Sequence, residues 1–385
     1  MAQEIKNLKS LANKIKEAIK KEQKIILFAD ADLDGVASLI ILEESIKCLG
    51  SQAAVSYFSD RDLEGYGLNR QSLGNLASYA PALLITLDCG ISNFQEIKEA
   101  KDLGFEVVVV DHHQVLDKLP QDAVLIVDPK QPGDDYPFKN LANAGIVYFL
   151  AKLLLAKKMS DSVHQGFLEL AALATIADMM EEKDDNKFII EQGLGLLFNT
   201  PRPGLKALIA LCDIPELNQR QVAQKIVTLL NITALRNHHP DSYVLLSSSS
   251  PEQSKALAEK LLQESRDRQE LISAITAEIS ESLINSNSAF IFEGSPEWPQ
   301  VLTGAVASRL CNKQQKPTFI FKLGPKLSRG SLRTPKGIDG VEALKACHNF
   351  LETYGGHTQA AGFCFLSGNL EQLKNCLDDY FKNFS

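Results

Sequence analysis

Residues 24–35 read KIILFADADLDG: an apolar run that breaks off into carboxylates at every second position, Asp30, Asp32 and Asp34. Its length and β-branched content predict a buried strand, so the three acids crowd negative charge where that strand meets a turn. Like charges that close repel one another unless cations sit among them. A divalent-metal site is the first expectation, and its remaining ligands have to come from elsewhere in the chain.

Outward from this stretch the pattern repeats. Upstream, Ile5, Leu8, Ala12, Ile15 and Ile19 share one helical face, and downstream the apolar residues take helical spacing from Gly35 through Cys48. Strand-like runs come next at 53–58, 82–87 and 106–110, with helical stretches near 70–78 and 93–103 between them. Such alternation predicts an α/β domain with a parallel sheet covered on both faces, its ligands at the carboxyl ends of the strands. Two of the runs end in Asp88-Cys89-Gly90 and Asp111-His112-His113, and a third, AVLIV, ends in Asp128-Pro129. Helices dominate from 140 to about 231, one of them carrying Thr175-Ile176-Ala177-Asp178.

A helical pattern at 251–285 would span roughly 50 Å at 1.5 Å per residue. Its middle, QESRDRQE, is too polar on every side to lie in one core and is expected to bridge two domains. A smaller α/β unit comes after it, with strands near 289–292 and 318–322, helices at 305–312 and after 339, and a last strand entered through Gly355-Gly356-His357. The expected division is a catalytic domain at 1–245, a bridging helix at 250–286 and a substrate-binding domain at 287–385, with the active site in the cleft between the two domains.

The chain has 385 residues, no run of eighteen apolar residues, and a Lys-rich amphipathic N-terminus unlike a signal peptide. A cytoplasmic protein with no membrane association is expected. Seven scattered cysteines without a Cys-x-x-Cys pair predict mostly reduced, buried thiols and no disulfide framework. A net charge of −8 argues against coating nucleic acid by bulk attraction. Between Arg309 and Lys336, however, eight basic residues occur with no Asp or Glu, the footprint of a phosphate-backbone groove or of a merely solvated face.

Three other readings of the acidic turn compete. An EF-hand loop needs Glu at its twelfth position, where this chain has Ile41. A haloacid-dehalogenase-type phosphatase would use Asp32 as nucleophile but leaves the paired histidines unexplained. A solvated loop leaves unexplained why three strand ends are charged. Asp32, Asp34, Asp88, His112 and Asp178, with Asp111 able to fix a histidine tautomer, form an oxygen-rich set that suits two Mn²⁺ or Mg²⁺ ions better than zinc.

In order and spacing, Asp-x-Asp-x-Asp-Gly, Asp-Cys-Gly, Asp-His-His and Thr-Ile-Ala-Asp resemble the four motifs of the DHH phosphoesterase superfamily, and within it the RecJ-type single-strand-specific exonucleases. Supporting phrases are Arg61 with Glu64-Gly65-Tyr66-Gly67-Leu68, Asp128-Pro129-Lys130, Tyr136-Pro137-Phe138, Thr200-Pro201-Arg202-Pro203-Gly204, Ala307-Ser308-Arg309-Leu310, Gly330-Ser331-Leu332-Arg333 and Gly355-Gly356-His357. The resemblance implies metal ligation by Asp32, Asp34, Asp88, His112 and Asp178, with Asp30 close by. It implies a scissile-phosphate contact by His113 and support of that pair by Asp111. It also implies substrate contacts by Ser331, Arg333 and His357, with Arg309 nearby and Arg61 near the 5′ end. Tyr66, between two glycines, is placed either to stack on a base or to hold a turn.

Three departures stand out. No oligonucleotide-binding barrel is expected after the second domain, Asn231-Ile232-Thr233-Ala234-Leu235-Arg236 replaces the family's Asn-Ala-Ala-Gly-Arg, and Trp298-Pro299-Gln300 lacks the usual histidine. The expected activity is metal-dependent exonucleolytic hydrolysis of single-stranded DNA, more than RNA, from the 5′ end, in DNA repair or recombination and with possible repair or replication partners. The alternatives are a DHH phosphodiesterase of short oligonucleotides or cyclic dinucleotides, and a non-catalytic nucleic-acid-binding adaptor.

Overall fold

The computed structural model describes residues 4–53, 55–59, 67–115, 118–214, 218–231, 235–236, 239–283 and 288–382. Arg61 and Tyr66 lie outside the described residues, as does the side chain of His357. Two compact units divide the chain, Met1–Leu262 and Gln263–Ser385.

The first unit is built on a five-stranded sheet of order β2-β1-β3-β4-β5, parallel throughout. Its strands are β1 (Ile25–Ala29), β2 (Val55–Phe58), β3 (Ala82–Leu87), β4 (Phe105–Val110) and β5 (Leu125–Val127). A parallel sheet needs cover on both faces, which is why β1 and β3 are apolar along nearly their whole length and buried at every position. Alternate side chains go to opposite sides. Ile25, Leu27, Leu83, Ile85, Val108 and Val110 pack against helices α1 (Leu8–Lys20), α2 (Leu33–Cys48), α5 (Asn143–Leu155) and α6 (Asp161–Ala177). Ile26, Phe28, Leu84, Val107 and Val109 pack against α3 (Arg70–Leu76) and α4 (Phe94–Asp102). Helix α2 is buried all round from Leu33 to Leu42, so the acidic turn that starts it is anchored in the core. A short ribbon of β6 (Leu235–Arg236) and β7 (His239–Pro240) lies late in this unit.

Helix Pro251–Ser282 contributes Ala258 and Leu261 to the core of the first unit, and Ile272, Ile275 and Ile279 to a core of the second. The second unit carries a five-stranded sheet of order β11-β12-β10-β9-β8, from β8 (Ile291–Ser295), β9 (Thr318–Lys322), β10 (Leu327–Arg333), β11 (Thr353–His357) and β12 (Ala360–Leu366). Only β8 and β9 pair in parallel; the other neighbours are antiparallel. Phe290, Phe292, Phe319, Phe321, Phe363, Phe365 and Phe381 cluster on one face. β10 goes unread in the sequence because LSRGSLR is polar at most positions, with only Ser328 and Leu332 buried.

The expectation of mostly reduced thiols holds for five of the seven cysteines and fails for one pair. Cys347 and Cys376 form a disulfide with their Cα atoms 5.9 Å apart, and of the five free cysteines Cys48 is exposed and Cys212 half-buried. The pairing joins the C-cap of helix Gly340–Ala346 to the middle of helix Leu370–Lys382, 29 residues further on, a closeness that only tertiary packing creates. Among the described residues no helix is long and apolar enough to cross a membrane.

Candidate active site

Parallel strands stop together, so the residues just past β1, β3 and β4 are delivered to one edge of the sheet, with neighbouring strands about 4.8 Å apart. Asp30 comes directly after β1, Asp88 after β3, and Asp111, His112 and His113 after β4. Asp32 caps α2, its side chain accepting from the N–H groups of Asp34 and Gly35 at 3.1 Å each. Gly35 is required there: a Cβ would stand 2.3 Å from the carbonyl oxygen of Asp30. Asp178 ends α6 as its C-cap.

Three overlapping sets of donor atoms result, each lying within 4.8 Å of one another: Asp88, His112 and His113; Asp34, His112 and Asp178; Asp30, Asp32 and Asp88. His112 Nε2 stands 3.2 Å from Asp88 Oδ1, 3.6 Å from Asp178 Oδ2 and 3.7 Å from Asp34 Oδ2. Its Nδ1 lies 2.9 Å from the carbonyl of Leu141. A carbonyl only accepts, so the ring proton sits on Nδ1 and Nε2 turns a lone pair toward the carboxylates. Burial pushes the His112 pKa down to about 4, keeping the ring neutral.

The acids feel the same crowding. Burial and the charges of Asp178 and Asp32 push Asp34 up to about 8. Burial and the charges of Asp34 and Asp32 hold Asp88 well above the carboxylate range. Lone pairs converging from a neutral imidazole and several strained acids are the arrangement that a cation relieves. The oxygen-rich donor chemistry therefore fits Mn²⁺ or Mg²⁺.

Asp111 is buried and wholly engaged. Oδ1 lies 2.7 Å from His113 Nδ1 and accepts from the N–H groups of His112 and His113, while Oδ2 accepts from Ile91 N at 2.9 Å. Burial would lower the His113 pKa, but the bond to Asp111 and its charge more than offset this, and the ring titrates above its ordinary value. Asp111 thus orients a half-exposed imidazole beside the acids and favours its protonated form.

Sequence reading did not assign the contacts that support this cluster. Asp34 accepts from Asn143 N and Ala144 N, both at 2.8 Å, at the start of α5. Asn231 Oδ1 accepts from Leu33 N at 3.1 Å. Lys130 Nζ donates to the carbonyl of His112. Asp128, buried at the tip of β5, is pushed up to about 7 by its desolvation. The sequence marks Asp128, Lys130 and Asn231 without giving them these roles, and Asn143 offers a signal as a polar residue opening an otherwise apolar helix.

In the second unit Ser331 and Arg333 sit on one face of β10, two residues apart. Ser331 Oγ is 3.0 Å from Thr303 Oγ1, and Arg333 Nε donates to Ser308 Oγ at 3.1 Å, next to Arg309, which reaches Ser273 Oγ at 2.8 Å. Gly304 leaves room, since a Cβ there would come within 3.2 Å of the Arg333 guanidinium. Of the basic residues in this stretch, Lys316 donates to the carbonyl of Ser288 at 2.7 Å.

A carboxylate–imidazole donor set at the tips of a parallel sheet, ordered along the chain as here, is that of the metal-dependent phosphoesterase class. The model of the DHH family N-terminal domain matches residues 24–175, and that of the DHHA1 domain matches 286–383. Residues 24–175 thus carry a DHH-family N-terminal domain and residues 286–383 a DHHA1 domain. It is 34% identical to the single-stranded-DNA-specific exonuclease RecJ of Bacillus subtilis, over 99% of this chain and 48% of that protein. Identity to the RecJ of Thermus thermophilus is 27%, over 99% of this chain and 55% of that one. The structure superposes on a crystal structure of exonuclease RecJ bound to manganese with a TM-score of 0.84 at 26% identity, covering 99% of this chain and 96% of the other. The chain spans about half the length of the Bacillus and Thermus relatives.

Proposed function

We propose that this chain is a two-metal phosphodiesterase that degrades single-stranded DNA exonucleolytically from the 5′ end, in DNA repair or recombination in the cytoplasm. The observation that carries this reading is the convergence of Asp34, Asp88 and Asp178 on a neutral His112 Nε2. Asp30, Asp32, Asp34, Asp88, His112 and Asp178 would hold two Mn²⁺ or Mg²⁺ ions, with Asp88 and His112 shared between donor sets. When bound, such ions lower the pKa of water and neutralise charge on a phosphoryl group.

The chain's own groups do the rest. Asp111 orients His113 and favours its protonated form, whose free N–H would donate to a non-bridging phosphate oxygen as charge develops there. Asp32 and Asp34 stay in place because backbone N–H groups are bound to both. Arg309, Ser331, Arg333 and His357, in the region matched by the DHHA1 model, are assigned to the strand's phosphates, Arg61 to its 5′ end, and Tyr66 to stacking on a base. In this reading the catalytic domain occupies 1–245, the linking helix 250–286 and the substrate domain 287–385. Similarity to the single-stranded-DNA-specific exonucleases named above supports the substrate and the exonucleolytic mode.

The test uses single-stranded, double-stranded and dinucleotide DNA labelled at either end, with Mn²⁺ or EDTA, and the variant Asp88→Ala. Mn²⁺-dependent release of mononucleotides from 5′ ends of single strands, lost in the variant, is expected. Preference for the dinucleotide would move the assignment to the short-oligonucleotide branch. DNA binding without turnover would make the chain an adaptor.

A further inference from the structure

Asn143 touches two of the acids at once, although it carries no charge and is fully buried. Its backbone N–H donates to Asp34 Oδ2 at 2.8 Å. With the amide oriented by its neighbours, its oxygen accepts from Asp88 N and from Ser38 Oγ, both at 2.9 Å, and its nitrogen donates to the carbonyl of Val110 at 3.1 Å. One side chain therefore ties the tip of β3, the end of β4 and the middle of α2 together, directly behind the donor cluster.

The tie falls where the backbone needs it. Asp88 has φ of 61°, a left-handed conformation that costs a non-glycine residue about 1 kcal/mol or more and persists only where surroundings over-determine it. The N–H of Asp88 reaches the carbonyl of Val110 at 3.0 Å as well as the Asn143 amide. Losing the amide would remove one of these two restraints on a strained backbone.

We infer that Asn143 is a positioning residue that sets the separation of the Asp34 and Asp88 carboxylates and thereby the affinity of the site for divalent cations. This rests on the metal-binding reading above. It extends that reading to a residue that contacts neither ion nor substrate. Groups that orient metal ligands commonly contribute 10–100-fold to metal affinity.

The test is titration of the metal-free full-length protein with Mn²⁺, read by calorimetry and by the signal of free Mn²⁺ in electron paramagnetic resonance. Wild type is compared with Asn143→Ala. The variant should bind Mn²⁺ roughly 10–100-fold more weakly, and its DNA hydrolysis should recover toward the wild-type kcat as Mn²⁺ is raised, with the KM for DNA unchanged. A merely structural role would lower melting temperature without moving the Mn²⁺ activation constant. Affinity within twofold of wild type overturns the inference. Should Asn143→Ala fail to fold, Ser38→Ala removes one bond from the amide and leaves a good helix former. It should weaken Mn²⁺ binding about threefold, and equality with wild type again overturns the inference. Absence of Mn²⁺ binding by wild type itself would instead overturn the metal reading.

Discussion

Replacing Asp34 by Asn should stabilise the metal-free protein while abolishing its response to Mn²⁺. Asp34 is 2% exposed and its carboxyl is pushed up to about 8 from 3.8, by burial first and by the charges of Asp178 and Asp32 second. A group raised above its unfolded value contributes stability that is full below the unfolded pKa. That stability is lost as pH rises through the folded pKa, here between about 4 and 8. At 1.36 kcal/mol per unit the loss approaches about 6 kcal/mol. Asn carries no charge, so the variant escapes this loss. It gives up one of the two acceptances from Asn143 N and Ala144 N, because its NH₂ faces a donor, at a cost of about 1–3 kcal/mol. The balance is a gain of about 3–5 kcal/mol at pH 8.5 in EDTA. With Mn²⁺ at a hundred times its Kd the wild type should gain about 2.7 kcal/mol and the variant almost nothing. Calorimetry is the suitable assay, because the single tryptophan, Trp298, belongs to the second unit. An Asp34→Asn protein less stable than wild type in EDTA at pH 8.5, or equally stabilised by Mn²⁺, would refute the reasoning.

Three further outcomes are expected. Gly35→Ala puts a Cβ 2.3 Å from the backbone carbonyl oxygen of Asp30, so the backbone of the turn must shift. It should cost about 3 kcal/mol and weaken Mn²⁺ binding; a variant as stable as wild type in urea would show that the turn tolerates a side chain. Glu169 is buried, bonded to Thr200 at 2.6 Å and pushed up to about 7 by burial. Its contribution is full below pH 4.5 and lost as pH rises to 7, so Glu169→Gln should match wild type near pH 4.5 and exceed it by about 3 kcal/mol at pH 8. Melting curves that stay parallel across that range would exclude this. Arg333→Ala should weaken single-stranded DNA binding and lower the slope of log K against log salt by about 0.7, and an unchanged slope would remove Arg333 from the phosphate contacts.

Local signals were sufficient wherever an apolar run ends abruptly in charge. The breaks after Ala29, Leu87 and Val110 locate Asp30, Asp88 and the Asp111-His112-His113 group without any structure, because a parallel strand must be apolar throughout and its tip need not be. The alternation of strand and helix likewise carried the α/β class and the common edge. Tertiary structure alone decided which atoms meet. The Leu141 carbonyl that selects the His112 tautomer, the Asn143 and Ala144 N–H groups on Asp34, and the Asn231 oxygen on Leu33 come from 29, 109, 110 and 198 residues away. Their residue types are ordinary for a loop or helix start. The disulfide between Cys347 and Cys376 and the polar strand Leu327–Arg333 were hidden for the same reason. A residue's own chemistry says what it can bind, but the direction in which a lone pair or an N–H points is set by whatever the rest of the chain packs behind it.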